Sequence, residues 1–222
     1  MQKNTSNKDC VIILSGGMDS TTLLYEYRDR IAQAITFDYG SNHARREIPC
    51  AEYHCKALGI PHQVIPLPFF SFFHSSLLEG ANAIPEGDYR EESMKSTVVP
   101  FRNGIMLSIA AGIAESNGLK NILIANHFGD HAIYPDCRRT FIEAMCCAVQ
   151  EGTYEGITIL APYTNITKDE IARHGAALGV DYSRTYSCYK GGEKHCGKCG
   201  TCVERKEAFQ LAGIEDPTIY EE

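Results

Sequence analysis

Two short stretches of this sequence carry residues whose types and spacing suit chemistry. The first is Ser15-Gly16-Gly17-Met18-Asp19-Ser20, followed by Thr21 and Thr22. Adjacent glycines let a backbone turn tightly and approach a ligand with no Cβ in the way. The first amides of a helix starting there are unpaired and meet an anion at the positive end of the helix dipole. Ser15, Ser20 and Thr21 add hydroxyl donors. Asp19 would repel a phosphate, so it is expected to cap the helix or help hold magnesium. No GK[ST] sequence follows the glycines, so the stretch is not a Walker loop. The second stretch holds Cys188, Cys196, Cys199 and Cys202. Two-residue gaps let a tight knuckle aim two sulfurs at one tetrahedral ion, and Gly197 and Gly200 permit the turns. Zinc is the expected metal, and four protein ligands close the shell, which makes it structural. An iron–sulfur cluster, a redox dithiol or disulfides are the alternatives. His195 lies between ligands but is expected at the surface. Lys190, Lys194, Lys198 and Arg205 would offset the thiolate charge.

These residues need elements to hold them. Cys10 to Leu14 is an unbroken apolar run, as in a strand covered on both faces. It leads into the glycine turn, then a helix from about Asp19 to Arg30. Further strands are expected at about 34–37, 63–67, 121–125 and 158–161. Helices are expected at about 43–58, 103–116, 138–150 and from Thr167, where Thr167 and Glu170 form a capping box. Pro49 would kink the second helix or delay its start. Strands alternating with helices imply a parallel sheet between helix layers, whose ligands sit beyond the carboxyl ends of the strands. That places the site among loops 15–20, 38–45, 126–137 and 161–168. The stretch 79–97 lacks periodicity and reads as a lid-like insertion. The organisation is therefore an α/β domain over 1–186 and a zinc-knuckle segment over 187–222, packed on the same domain.

Composition excludes several classes of function. The 222 residues are 44% hydrophobic and 22% charged, which is globular rather than disordered. A net charge of −7 offers no basic field for a nucleic-acid backbone. No apolar run approaches the roughly 18 residues of a membrane span, and the polar start MQKNTSNKD is unlike a signal peptide. A soluble, cytoplasmic protein is expected. Its chain is long enough not to need disulfide staples, so Cys10, Cys146 and Cys147 should be buried small hydrophobes.

SGGxDS after the first strand of an α/β pattern matches the PP-loop ATP pyrophosphatase superfamily. With the knuckle, the chain resembles the 7-cyano-7-deazaguanine synthase family of queuosine precursor biosynthesis. The supporting segments, between about Cys10 and Phe209, are LSGGMDSTTLL, TFDYGSNHARRE, VPFRNGIMLSIAAGIAE, YPDCRRTFIEA and SCYKGGEKHCGKCGTC. The resemblance implies a PP-loop fold and an ATP-dependent ligase joining 7-carboxy-7-deazaguanine and ammonia to give the nitrile, through adenylated carboxylate and amide. It implies ATP with magnesium on Leu14, Ser15, Gly16, Gly17, Met18, Asp19, Ser20, Thr21, Thr22, Leu23 and Leu24, and a homodimer. The candidate catalytic residues are Asp19, Arg102, Asp136 and Lys168. Arg102 and Asn103 would hold phosphate or substrate carboxylate, or Arg102 only a surface ion pair; Asp136 would meet the guanine-like edge or cap the following helix, and Lys168 would contact a phosphate or be a solvated lysine. Asp38 would lie where adenine is read or simply make a turn, and His43 and Arg45 are weaker candidates. Phe101 stands where the family usually has glycine, and the loop HFGDHAIYPDC also departs from its pattern, which bears on whether reaction stops at the amide. The rival readings are a PP-loop enzyme thiolating tRNA and a non-catalytic nucleotide sensor.

Overall fold

The computed structural model describes residues 8–78, 80, 83–87 and 94–221. Five strands form one all-parallel sheet: β1 (Cys10–Ile13), β2 (Ile31–Asp38), β3 (His62–Pro66), β4 (Asn121–Leu123) and β5 (Thr158–Leu160). Their order is β3-β2-β1-β4-β5. The chain leaves β1 outward in one direction through β2 and β3, then returns to its other side with β4. The crevice beyond the carboxyl ends of β1 and β4 is therefore the switch point, where α/β sheets bind ligands.

Helices α1 (Met18–Glu26), α2 (Ala44–Leu58), α3 (Arg102–Ser116), α4 (Arg139–Gly152) and α5 (Lys168–Ala177) flank the sheet, and α6 (Gly200–Ala212) ends the fold. The alternation of β1 splits its residues between two cores. Val11 joins Ile35, Phe37 and Ile122 under Met106, Leu107 and Ala110 of α3 and Ile142 and Val149 of α4. Cys10, Ile12 and Leu14 pack with Leu23 and Leu24 of α1, Ala51 and Cys55 of α2, and Ile171 of α5.

Several boundaries differ from those read in the sequence. Helix α1 stops at Glu26, and residues 27–30 form the turn into a longer β2. Helix α2 runs from Ala44 straight through Pro49, whose ring lies on an exposed side. Helix α6 had no sequence reading, because the knuckle's cysteines interrupt its apolar period. Cys10 is buried and Cys146 half-buried, but Cys147 is exposed on the outer face of α4, contrary to expectation.

The stretch Lys95–Ser116 is apolar, with a mean hydropathy of 1.3 over 18 of its residues. Half of it is buried inside the fold. Its α-helix has 15 residues, about 22 Å at 1.5 Å per residue, against a hydrocarbon core of roughly 30 Å. It is the central core helix on its side of the sheet.

The expected lid at 79–97 falls mainly outside the described residues. Within it, Met94 is buried against Ile133 and Tyr134, and Thr97 shares a 2.9 Å hydrogen bond with the Tyr134 hydroxyl.

Candidate active site and metal centre

The loop from β1 to α1 turns at Gly16 with φ +97°. A Cβ there would lie 2.2 Å from the carbonyl oxygen of Glu47, so only glycine lets α2 pass this close. Tyr186 donates its N–H to the Gly16 carbonyl at 3.1 Å, which fixes the loop from its other side. Ser15 and Ser20 tie the turn together, with their hydroxyls 2.9 Å apart and Gly17 N–H donating to Ser15 Oγ. Gly17 is the N-cap of α1, with no side chain capping it. The first-turn amides of Met18, Asp19 and Ser20 therefore lack carbonyl partners in their own helix.

A cleft opens beside this loop at the switch point. Leu14, Ser15, Gly17, Met18, Asp19 and Ser20 line it, as do Arg102 and Lys168. Gly16 shapes the loop from behind. Thr21, Thr22, Leu23 and Leu24 do not line the cleft: the two leucines are in the core, and Thr22 donates to the Met18 carbonyl beside Tyr182. The Thr21 hydroxyl is likewise buried, behind the residues that line the cleft.

Lys168 starts α5 and meets Asp19 Oδ2 at 3.3 Å and Glu204 Oε2 at 2.6 Å. Burial alone would lower its pKa, but Asp19, Glu204 and Asp130 outweigh this and hold it well above its usual value. It is an enclosed ammonium at every physiological pH, not a solvated lysine. His127 Nε2 joins the same cluster, 3.5 Å from Asp130, 3.8 Å from Glu204 and 4.0 Å from Asp19. Neither Glu204 nor His127 was singled out in the sequence. They arrive from α6 and the loop after β4, and no local motif marks them.

Asp136 does not line the cleft. Its Oδ2 accepts the Asn103 backbone N–H at 2.8 Å, capping α3 rather than its own following helix. Asn103 lines the cleft, though its amide is engaged with the Asp136 carbonyl and Cys137 Sγ. Arg102 enters the cleft and donates to the Tyr39 hydroxyl at 2.9 Å. Asp38 makes a turn, accepting the Gly40 N–H. His43 faces the cleft while Arg45 points out to solvent.

Phe101, just before α3, holds the left-handed φ of 52°, alone among the described non-glycine residues. A glycine there would carry no such strain.

Three cleft-lining residues each bury a polar atom without a partner among the described residues: Asp19 Oδ1, His43 Nδ1 and Asn126 Oδ1. Buried polar atoms are nearly always paired, so three orphans around one cavity mark a place for a polar ligand. The Asp19 oxygen fits a cation beside a phosphate.

The four knuckle cysteines are buried, with their sulfurs within 4.8 Å of one another. Bonds of about 2.3 Å to a tetrahedral zinc put sulfurs roughly 3.8 Å apart, and Cys196 and Cys202 stand at 4.0 Å. The amides of Cys196, Lys198 and Cys199 point at ligand sulfurs from 3.3 to 3.5 Å, as suits thiolates. The donor set fits one tetrahedral metal ion. His195 is buried, not at the surface, and its Nε2 accepts the Ser187 N–H at 3.0 Å. Of the expected charge partners, Arg205 is wholly buried and pairs with Asp216, and Lys190 pairs with Glu86.

The family model described as "Queuosine biosynthesis protein QueC" matches residues 9–213. The chain belongs to the QueC family. It is 63% identical over 215 residues to a 7-cyano-7-deazaguanine synthase of Porphyromonas gingivalis, covering 96% of this chain and 98% of that protein. The proteins of that name from Desulfotalea psychrophila and Methanoregula boonei are 52% and 50% identical, with 98% of each covered. Among solved structures, the NMN synthetase of Francisella tularensis superimposes with a TM-score of 0.52 at 14% identity, over 94% of this chain and 78% of that one. A predicted tRNA methyltransferase subunit from Methanocaldococcus jannaschii gives 0.50 at 14%, over 97% and 93%. These two establish a shared fold.

Proposed function

We propose that this chain is an ATP-dependent carbon–nitrogen ligase converting 7-carboxy-7-deazaguanine and ammonia into 7-cyano-7-deazaguanine for queuosine biosynthesis. The observation that carries the reading is the set of orphaned polar atoms around the glycine loop, in a chain whose family relatives bear that name. A carboxylate resists ammonia because its leaving group would be oxide. Attack by its oxygen on the α-phosphorus of ATP expels pyrophosphate, and AMP becomes the leaving group for amide formation. A second attack, now by the amide oxygen, prepares loss of AMP to leave the nitrile.

In this reading the amides of the β1–α1 loop grip phosphate. Lys168, buried beside Asp19, supplies positive charge where pyrophosphate departs. Arg102 offers a forked donor pair to the substrate carboxylate or a phosphate. Asp136 acts on the site by seating α3. Magnesium would be held by Asp19 and neutralises phosphate charge when bound. Zinc would occupy the four cysteines and contribute folding energy. The substrates are small molecules rather than nucleic acid or membrane, and the cytoplasm is the proposed location. A homodimer is proposed from the family resemblance; sedimentation velocity reads it directly.

Incubation of the protein with ATP, ammonium and the carboxy base, followed by mass spectrometry, tests the activity. The nitrile and two AMP per product are expected. Amide alone would mark a homologue that stops halfway, AMP only with tRNA would favour a tRNA-modifying enzyme, and no turnover would overturn catalysis.

A further inference from the structure

The reaction needs a group that accepts protons from nitrogen, and the loop, Lys168 and Arg102 cannot be that group. Glu47 lies on the cleft wall with His43 Nε2 3.5 Å from its Oε2. Its Oε1 is 3.8 Å from where a Gly17 side chain would begin, so the carboxyl faces the loop itself. Its side chain is 18% exposed, and His43 is its one partner at ion-pair distance among the described residues. His43 in turn is almost fully enclosed, and its other ring nitrogen, Nδ1, has no side-chain partner among the described residues. Such a pair, without a lysine or arginine in contact, does little for the fold and is costly to bury.

We propose, resting on the functional reading above, that Glu47 backed by His43 is the proton acceptor at the reacting nitrogen. In the first half-reaction the Glu47 carboxylate takes a proton from ammonium, giving ammonia and a carboxylic acid. The ammonia lone pair forms the C–N bond as the C–O bond to AMP breaks, and the surplus N–H proton leaves to solvent. In the second, one N–H proton leaves to solvent as the amide oxygen is adenylated, and Glu47, again ionised, takes the remaining N–H proton. The electron pair of that bond completes the nitrile as the C–O bond to AMP breaks.

The electrostatics agree. Burial pushes the Glu47 carboxyl up to about 8, opposed by Arg102, and burial together with Arg102 pushes His43 down to about 4. Cys199 and a hydrogen bond to the Tyr189 backbone act on His43 in the opposite sense; Cys50 on the same helix and the Tyr189 ring also lie beside the pair. A base balanced near neutrality both accepts and releases protons readily.

The test compares wild type with Glu47→Gln on the 7-amido substrate, which removes the titration of ammonium from the profile. The variant is expected to lose at least ~100-fold in kcat for nitrile formation, with zinc content and calorimetric ATP affinity unchanged. Wild-type kcat should rise with pH towards about 8, and Glu47→Asp should keep that limb at reduced rate. A Glu47→Gln enzyme as fast as wild type, with the same limb, overturns the assignment, as does a parallel loss of ATP affinity and turnover. If Glu47→Gln does not fold, a wild-type kcat flat from pH 6 to 9 overturns it equally. A wild type that makes no nitrile overturns the functional reading and this assignment together, whereas an active wild type isolates Glu47.

Discussion

Gly16 and Glu47 show how much a single position can decide here. Gly16→Ala puts a methyl group 2.2 Å from a backbone oxygen of α2 at a φ that L-residues avoid. Helix and loop must part, so we expect a loss of about 2–4 kcal/mol in stability and no measurable ATP binding, read by chemical denaturation and calorimetry. Glu47 has the opposite effect on the fold. Its folded pKa, about 8 against 4.5 for the free group, means that the native state binds its proton more tightly than the unfolded chain does. Its stabilising contribution is full below about pH 4.5 and is lost as pH rises through 8. Glu47→Gln should therefore melt higher than wild type at pH 8.5, by about 2 kcal/mol in stability, with the gap closing by pH 5. A gap independent of pH contradicts this.

At the level of elements, the caps and helix ends carry the site. Asp136→Ala removes an oxygen from the first turn of α3 and should cost about 1–2 kcal/mol. Asp136→Asn keeps an acceptor and should recover most of that stability. If Asn instead lowers kcat/KM as far as Ala while melting normally, the carboxylate meets substrate after all. Glu204→Gln removes the charge facing Lys168 at 2.6 Å. We expect Lys168 to swing towards Asp19 and turnover to fall about tenfold, with metal content unchanged by atomic absorption. The elements themselves were largely legible. Strand β1 is a short apolar run ahead of the glycine turn and β4 another between helices, and the glycine loop and cysteines are contiguous motifs that announce themselves. Glu47, His127 and Glu204 are not contiguous with anything. Each is an ordinary charged or polar residue on a helix or loop, and only the folding of α2, the β4 loop and α6 onto one crevice makes them neighbours. Cys147 and His195 were misjudged for a related reason, since composition around a residue does not say which side of its helix or turn faces inward.

For the molecule as a whole, the knuckle is part of the main body. Arg205 of α6 donates to Thr185 Oγ1, Ser187 Oγ and the Tyr182 carbonyl, joining the metal segment to the strap that braces Gly16. Cys199→Ser should lower metal content and melting temperature together, because metal binding to the folded state is folding free energy. It should also weaken ATP binding, though none of the four knuckle cysteines lines the cleft; melting unchanged after metal loss would refute this coupling. The tie between Tyr186 and Gly16 has one more consequence, for biosynthesis on the ribosome. The glycine turn is translated first, and its brace emerges some 170 residues later. A nascent chain thus carries the whole nucleotide signature long before it can use it, and a product truncated ahead of Tyr186 should be inert even though every residue of the motif is present.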